Sequence, residues 1–286
     1  MKPILWLDTE QAAHHGSKAH PESPSRITAI RTMLSLLNPK GFLLRERSDP
    51  IPRIEQPAGG HMWLLDGGDT YATPYTSILL ARGQEMIAEA ARELALSKTN
   101  CAYVFIRPPG HHANGLGVSG FCHQNNAWIA VTHLKTLGFH KIGIFDWDAH
   151  HGDGTEECVR RGNDPNVRFA SMHAYGPDVF PGTGASSTDT ILNIPLPVGT
   201  DSETYVVRFN AEVMPFLGQP DIVIVSAGYD GHEKDPMGLL QLRENTYRHM
   251  SERLRYLDCP VLFLLEGGYN PLVLASCVKA TLDPWI

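Results

Sequence analysis

The stretch KIGIFDWD (141–148) begins as a continuous apolar run, ends in two carboxylates and leads directly into AHHGDGT (149–155). A run that is apolar at successive positions is typical of a strand buried on both faces of a parallel sheet. Burying carboxylates at the end of such a strand is costly unless something pairs with them. The stretch therefore predicts a parallel sheet and a polar site at its edge.

Five other runs have the same composition, and they are PILWLD (3–8), CAYVFIR (101–107), VRFASMH (167–173), DIVIVSAGYD (221–230) and PVLFLLEGGY (260–269). Helical patterns lie between them, in SPSRITAIRTMLSLL (23–37), TSILLARGQEMIAEAARELAL (76–96) and SETYVVRFNAEVMPFL (202–217). Strands that alternate with helices predict an α/β fold of three layers, with a central, mainly parallel sheet flanked by helices. Because no repeat or linker interrupts the pattern, residues 1–286 are expected to form one domain.

The first helix carries its own start signals. Ser23 is predicted to cap it, and Pro24 to occupy its first helical position. One apolar face is predicted for this helix, formed by Ile27, Ile30, Leu34 and Leu37.

Composition excludes several classes of function. The formal net charge is −7 and the chain has no long basic run, so binding of nucleic acid through a basic face is not expected. No apolar run approaches membrane-spanning length and nothing resembles a signal peptide, so we expect a cytoplasmic protein without a membrane partner. The five cysteines are scattered without a C-x-x-C pair and are interpreted as reduced core thiols.

Four of the predicted strands run into polar segments that contain glycine: RPPGHH, DWDAHHGDG, SAGYDG and EGGYN. In open parallel sheets, the ligand crevice lies beyond the carboxyl ends of the strands. The four segments are therefore predicted to meet at one site.

Asp146, Asp148 and His150 are spaced i, i+2, i+4, so in an extended chain they point to one face. An Asp-x-His pair completed by Asp230 would form a metal site with open positions for water and substrate. The mixed oxygen and nitrogen donors suit Zn²⁺, with Fe²⁺, Mn²⁺ and Co²⁺ as the alternatives. For an isolated Asp-x-His motif, a helix cap or a salt bridge is the commoner explanation. The convergence of four segments favours the metal.

Two further groups fit such a site. His111 and His112 are adjacent, so both can face one pocket only from an irregular loop, which Pro108, Pro109 and Gly110 supply. A histidine beside an activated water is a suitable general base and acid. Tyr269 can stabilise a tetrahedral oxyanion with its hydroxyl group. The alternatives to these roles are that His111 and His112 form a surface pair and that Tyr269 is a core residue.

Other catalytic motifs are weak. GLGVSG (115–120) matches the G-x-G-x-x-G pattern, but RPPGHHAN separates it from the preceding strand, so a dinucleotide site is not expected. The sequence has no G-x-S-x-G elbow, and the thiol of Cys122 beside His123 is interpreted as buried.

In this order, RPPGHHA, GFCHQNNA (120–127), DWDAHHGDGT, FPGTG (180–184), SAGYD and LEGGYN resemble the zinc-dependent histone deacetylase family, which includes acetylpolyamine amidohydrolases. HPESPSR (20–26) matches an N-terminal signature of that family. The resemblance spans about residues 20–280 and implies an arginase-like α/β fold.

The resemblance also implies a role for each matched residue. Zinc would be held by Asp148, His150 and Asp230. His112 would be the general base and acid, with His111 as its electrostatic partner, and Tyr269 would polarise the amide carbonyl. Asp146 would orient His111, and Asp153 would orient His112.

Further implied roles lie around the reaction centre. A narrow apolar channel would be lined by Gly120, Phe121, Phe180 and Met237. Arg26 would belong to an inner cavity linked to acetate release. A structural monovalent cation, K⁺, would lie near Asp146, Asp148, His150, Ser171 and Met172.

The resemblance predicts a hydrolase that removes an acetyl or other short acyl group from an acyl-lysine side chain of a protein or peptide. Met237 stands at the gatekeeper position, where polyamine-selective relatives can carry an acid, so it favours acyl-lysine. Deacetylation of acetylpolyamines or of a small N-acyl metabolite is the alternative within this class. A silent acyl-lysine binder is disfavoured because every catalytic group is present, and SAGYDGHEKD matches a two-metal ureohydrolase poorly. EQPAGGHMW (55–63) replaces a longer family segment and is expected to alter the pocket rim.

Overall fold

The computed structural model describes residues 1–9, 20–51, 63–66 and 68–286. Eight strands form one sheet in which every neighbouring pair is parallel. In spatial order these strands are β2 (Leu43–Arg47), β1 (Ile4–Asp8), β5 (Cys101–Phe105), β10 (Val261–Leu265), β9 (Ile222–Ala227), β6 (Ile142–Asp146), β7 (Val167–Ala174) and β8 (Ile191–Leu196). All six predicted strands are therefore confirmed, as is the parallel sheet.

Helices connect the strands. They are α1 (Ser25–Leu36), α2 (Thr76–Ala95), α3 (Asn126–Thr136), α4 (Asp153–Gly162), α5 (Ser202–Arg208), α6 (Met214–Leu217), α7 (Glu244–Arg255) and α8 (Pro271–Leu282). A π-helical turn, Phe209–Val213, joins α5 to α6. A short antiparallel hairpin of β3 (Trp63–Leu64) and β4 (Tyr71–Ala72) lies outside the main sheet.

Both faces of the sheet are covered, which explains the continuous apolar runs. Val261, Phe263 and Leu265 of β10 pack into one apolar cluster with residues of α1, α7 and α8. Leu262 and Leu264 point the other way, into a cluster with residues of α2 and α3. Because successive side chains enter opposite cores, no position along the strand tolerates a solvated polar group.

The start of α1 differs from the prediction. Ile27, Ile30 and Leu34 are buried and Leu37 packs against them, so the apolar face is confirmed. The helix begins at Ser25, after Pro24, and no side chain caps it. The hydroxyl of Ser23 instead lies 2.5 Å from that of Ser25, so the predicted Ser23 cap was wrong.

The fold brings the four polar segments together. They follow β5, β10, β9 and β6, which are the four contiguous central strands of the sheet. GLGVSG (115–120) lies in a loop that precedes α3, which confirms that it does not link a strand directly to a helix. Residues 55–62 of the expected rim segment lie outside the described residues. Among the described residues, no helix is both long and apolar enough to cross a membrane.

Candidate active site

Asp148, His150 and Asp230 meet beyond the ends of β6 and β9. Their potential ligand atoms all lie within 4.8 Å of one another, and all three residues are buried. The Nδ1 atom of His150 is 3.1 Å from Asp148 Oδ1 and 2.8 Å from Asp230 Oδ2. The predicted Asp-x-His pair and its distant partner therefore form one cluster.

The electrostatics of this cluster fit a cation. Two buried carboxylates repel each other, and burial together with Asp148 raises the pKa of Asp230 to about 7. Burial lowers the pKa of His150, but Asp230 and Asp148 outweigh it and raise that pKa to about 10. The carboxylates thus favour a positive charge at Nδ1 of His150, and a divalent metal held by the three donors would meet the same need.

Backbone geometry keeps the cluster in place. The N–H of Gly267 donates to Asp148 Oδ2 at 2.9 Å, and the N–H of Ala149 donates to Asp230 Oδ1 at 2.9 Å. A Cβ atom on Gly267 would lie 2.5 Å from Asp148 Oδ2 and 2.6 Å from Asp230 Oδ2. Only glycine allows the chain to approach both carboxylates so closely.

The tandem histidines lie beside this cluster on the loop after β5. The ring of His111 hydrogen bonds through Nδ1 to Asp146 at 3.0 Å, and that of His112 through Nδ1 to Asp153 at 2.7 Å. The two ring centroids are 4.0 Å apart, and His111 Nε2 is 3.8 Å from Asp148 Oδ1. The structure places both predicted His–Asp pairs as expected.

The two histidines differ in charge. Burial, reinforced by the charge of His111, lowers the pKa of His112 to about 4, so its ring is neutral near pH 7. Burial opposes a charge on His111 as well, but Asp148 and Asp146 outweigh it and raise the pKa of His111 well above its usual value. Opposite pKa shifts in neighbouring titratable groups are typical of acid–base sites.

A pocket of about 180 Å³ opens above these residues, and it is lined by Asp69, His112, Gly120, Phe121, His150, Phe180, Met237 and Tyr269. The Phe180 ring lies 4.9 Å from that of His112, and the Phe121 ring lies 5.6 Å from that of Tyr269. Burial raises the pKa of Tyr269 well above 10, so its hydroxyl keeps its proton. The predicted channel residues and Tyr269 therefore share one cavity.

Gly120 is needed in the pocket wall for two reasons. Its φ is +52°, and an added Cβ would lie 2.4 Å from the ring of His112. Any other residue would push against the His112 ring.

Arg26 lies beneath the pocket. It is fully buried, and its Nε donates to the carbonyl of Gly268 at 2.7 Å. Its guanidinium also donates to the carbonyl of Glu266 and stacks 5.2 Å from the centroid of the Tyr269 ring. Arg26 thus supports the segment that carries Tyr269.

The residues expected around a monovalent cation lie on adjacent strands, where Asp146 of β6 is in register with Ser171 of β7. The hydroxyl of Ser171 is 2.9 Å from His173 Nδ1, and the carbonyl of Met172 accepts a hydrogen bond from Tyr205 at 3.2 Å. Asp148 and His150 follow β6 directly, so all five predicted residues lie in one region.

Comparison with known proteins agrees with this geometry. A family model described as "Histone deacetylase domain" matches residues 44–284. The chain belongs to the histone deacetylase family. The chain is 34% identical to Histone deacetylase 14, chloroplastic, of Arabidopsis thaliana, over 96% of this chain and 74% of that one. It is also 32% identical to Acetylpolyamine amidohydrolase 1 of Pseudomonas aeruginosa, over 64% of this chain and 55% of that one.

Among solved structures, the crystal structure of the HDA15 HD domain superimposes with a TM-score of 0.87 at 28% identity, covering 98% of this chain and 90% of that one. The deacetylase-type α/β fold is therefore shown, and the relatives are deacetylases.

Sequence reasoning missed three polar residues of this deacetylase site. Asp69, in the turn between β3 and β4, lines the pocket. Glu266 is buried, and its Oε2 accepts the backbone N–H groups of Gly110 at 2.6 Å and His111 at 3.2 Å, which fixes the tandem-histidine loop. The signal was available, because Glu266 is an acid directly after the apolar residues of β10.

The third is His151, which had no assigned role. Its Nδ1 is 2.7 Å from the hydroxyl of Thr183, and its Nε2 is 3.0 Å from Glu156. Thr183 belongs to the loop that carries Phe180, and Glu156 belongs to α4. His151 thus anchors one wall of the pocket to the helix that carries Asp153.

Proposed function

We propose that this deacetylase family member is a zinc-dependent amidohydrolase that removes an acetyl or other short acyl group from an acyl-lysine side chain. The observation that carries the proposal is the meeting of a three-donor metal group, a neutral His112 and a protonated Tyr269 at one apolar pocket. The products are a carboxylate and the free amine.

Asp148, His150 and Asp230 would hold the metal. When bound, a divalent metal supplies Lewis acidity to the amide carbonyl and to the attacking water. Two carboxylates and one imidazole favour Zn²⁺ among the common divalent metals, with Fe²⁺ and Co²⁺ as the alternatives.

His112 is proposed as the general base and then the general acid. The Asp153 carboxylate accepts from Nδ1–H, which leaves Nε2 as the atom that takes the proton of water. A protonated histidine then gives a proton to the nitrogen of the leaving amine, either His112, which holds the proton taken from water, or His111, which is already charged. Burial opposes a charge on His111, but Asp148 and Asp146 outweigh it and favour the charged form, which would stabilise negative charge on the reacting atoms.

Tyr269 is proposed to donate a hydrogen bond to the oxyanion. Its hydroxyl remains protonated because burial disfavours the phenolate. Such a donor stabilises the transition state more than the flat amide, because charge develops on the oxygen only as water adds.

The residues of the pocket walls support acyl-lysine as the substrate class. Phe121 and Phe180 present apolar rings to an extended alkyl chain, and Met237 adds no charge. Asp69 supports acyl-lysine in a peptide, since its carboxylate can accept the peptide N–H groups. The same carboxylate could attract the ammonium group of an acetylpolyamine, which makes that substrate the second candidate.

The test is a comparison of turnover on the zinc-loaded protein with acetyl-lysine peptide, a longer acyl-lysine peptide and acetylputrescine. We expect the highest kcat/KM for the acetyl-lysine peptide, and inhibition by a hydroxamate. A preference for acetylputrescine would establish the second candidate, whereas peptide binding without turnover of any amide would indicate a silent binder.

A further inference from the structure

Asp235 lies between β9 and α7 and takes no part in the proposed mechanism. The side chain is buried, with 6% of the residue exposed. Its Oδ2 accepts the backbone N–H of Tyr269 at 2.6 Å and that of Asn270 at 3.1 Å. Its Oδ1 accepts the backbone N–H of Met237 at 3.1 Å. One carboxylate thus joins two separate loops.

Both loops contribute to the pocket. Tyr269 and Met237 line the same cavity, one on the segment after β10 and the other on the segment after β9. The Asn270 side chain in turn accepts the N–H of Val273 and caps α8. Asp235 therefore sets the position of the Tyr269 backbone relative to the channel wall and to the start of a helix.

The pattern of donors explains why an acid stands here. Three N–H groups approach from two directions, and only an ionised carboxylate accepts on both oxygens. Burial is unfavourable for that charge and raises the pKa of Asp235, although the N–H of Tyr269 partly offsets the effect. A buried acid, whose ionised form burial disfavours, therefore contacts the backbone of Tyr269.

We propose that Asp235 is a positioning residue, which holds the Tyr269 hydroxyl and the Met237 side chain at a fixed separation across the substrate. The inference rests on the proposed function, because it assigns to Tyr269 a role in turnover. Asp235 itself touches no reacting atom.

Two substitutions separate the two halves of this contact. Asp235→Ala removes both acceptor oxygens and so all three hydrogen bonds, and Tyr269 and Met237 both lose their support. We expect kcat to fall about 100-fold, as a displacement near 1 Å can do. Asp235→Asn keeps its one oxygen on the side with two donors and turns its NH₂ towards Met237. We expect kcat within about threefold of wild type and a raised KM.

A double substitution tests whether Asp235 acts through the phenol. In a Tyr269→Phe background, the hydroxyl that Asp235 positions is already absent, so Asp235→Ala should lower kcat less than about threefold further. A general structural defect would instead lower kcat by the same factor in both backgrounds, and that result would overturn the proposal.

Amide hydrogen exchange tests the contact without turnover. In Asp235→Ala, the N–H groups of Tyr269, Asn270 and Met237 should all exchange faster than in wild type. In Asp235→Asn, only the N–H group of Met237 should exchange faster than in wild type. If the wild-type protein hydrolyses no acyl-amine, the proposed function fails, and exchange still decides whether Asp235 holds Tyr269. Unchanged exchange at Tyr269 in Asp235→Ala would overturn the proposal. If that variant does not fold, Asp235→Asn is the test, and wild-type exchange at Met237 together with a wild-type KM would overturn the proposal.

Asp221 supplies the matched control. One of its carboxylate oxygens also accepts two backbone N–H groups, from His140 and Lys141, both at 2.8 Å. It lies at the opposite end of the sheet, before β9. Asp221→Ala and Asp221→Asn should leave kcat and KM unchanged, and effects equal to those of the Asp235 variants would overturn the assignment.

Discussion

At the carboxyl ends of the central strands, Asp148 and Asp230 are completely buried, whereas at the amino ends Lys141 and Asp221 are exposed. The amino end also has a pocket, of about 300 Å³, lined by residues that include Lys141, Arg168 and Gln219. It is larger than the 180 Å³ pocket at the carboxyl end. Among the described residues, two groups of side chains could hold a metal, and both lie at the carboxyl end: Asp148, His150 and Asp230, and His111, Cys122 and Glu266.

The difference shows that the size of a pocket is a poor guide to chemistry here. The charged residues of the amino-end pocket, Lys141 and Arg168, are exposed, so water can solvate their charges. At the carboxyl end, beside the pocket, Asp148 and Asp230 are two like-charged carboxylates whose charge is unfavourable when buried, which favours a compensating cation. Matched substitutions at the two ends can test this contrast.

The largest effect is expected from Asp230→Ala. Loss of one of three metal donors should lower kcat/KM about 1,000-fold or more, since metal-bound charge stabilisation amounts to several kcal/mol. Added Zn²⁺ should raise the unfolding temperature of wild type but not of the variant. The control at the amino end is Asp221→Ala, which should keep both properties. Equal turnover by Asp230→Ala and wild type would show that the reaction does not need Asp230 as a metal donor.

Tyr269→Phe should have the next largest effect. Removing one donor to an oxyanion lowers kcat about 100- to 1,000-fold, with little change in KM. The control is Tyr256→Phe, because Tyr256 is 71% exposed. Steady-state kinetics on the acetyl-lysine peptide would measure both, and a Tyr269→Phe variant with normal kcat would contradict the proposed role.

Asp153→Asn should lower kcat about 10-fold, at the lower end of what the loss of a carboxylate that orients a histidine costs. Burial lowers the pKa of His112, and the hydrogen bond that its Nδ1–H donates to Asp153 raises it, so loss of that bond makes the ring a weaker base. Asp164→Asn is the control, because Asp164 also accepts a backbone N–H, from Asn166 at 2.9 Å, at the amino end of β7. If both variants have the same kcat, Asp153 does not act on the base.

His151→Phe should have the smallest effect. It keeps a ring but removes the hydrogen bonds to Thr183 and Glu156. We expect KM to rise about three- to tenfold because the Phe180 wall loses its anchor. The free energy of unfolding should fall by about 1–3 kcal/mol. His140→Phe, at an exposed position, is the control, and an unchanged KM in His151→Phe would show that the anchor does not shape the pocket.

The same contrast explains what could be predicted from the sequence. The buried central strands were found because each contains at least four successive apolar or aromatic residues, and their polar ends were found because acids and histidines stand out there. The edge strands were missed for the opposite reason. In β2, LLRER faces solvent and carries charges, and β8 (ILNIPL) contains Asn193 and Pro195, which weaken the strand pattern.

Contacts between distant residues were harder to predict. The metal donors and both His–Asp pairs came from motifs, whereas Asp235 and Glu266 act through backbone N–H groups of other loops. Nothing in local spacing specifies such acceptors. Ser23 shows the reverse error, since a good capping residue is present but α1 begins two residues later.

In the proposed function, turnover requires a metal held by Asp148, His150 and Asp230. The most direct test measures metal content and acetyl-lysine peptide turnover on the same sample, before and after chelation and after addition of Zn²⁺. We predict about one zinc per chain in the active protein, loss of turnover with loss of metal, and recovery on reconstitution. Full turnover by protein that contains no metal would contradict the account.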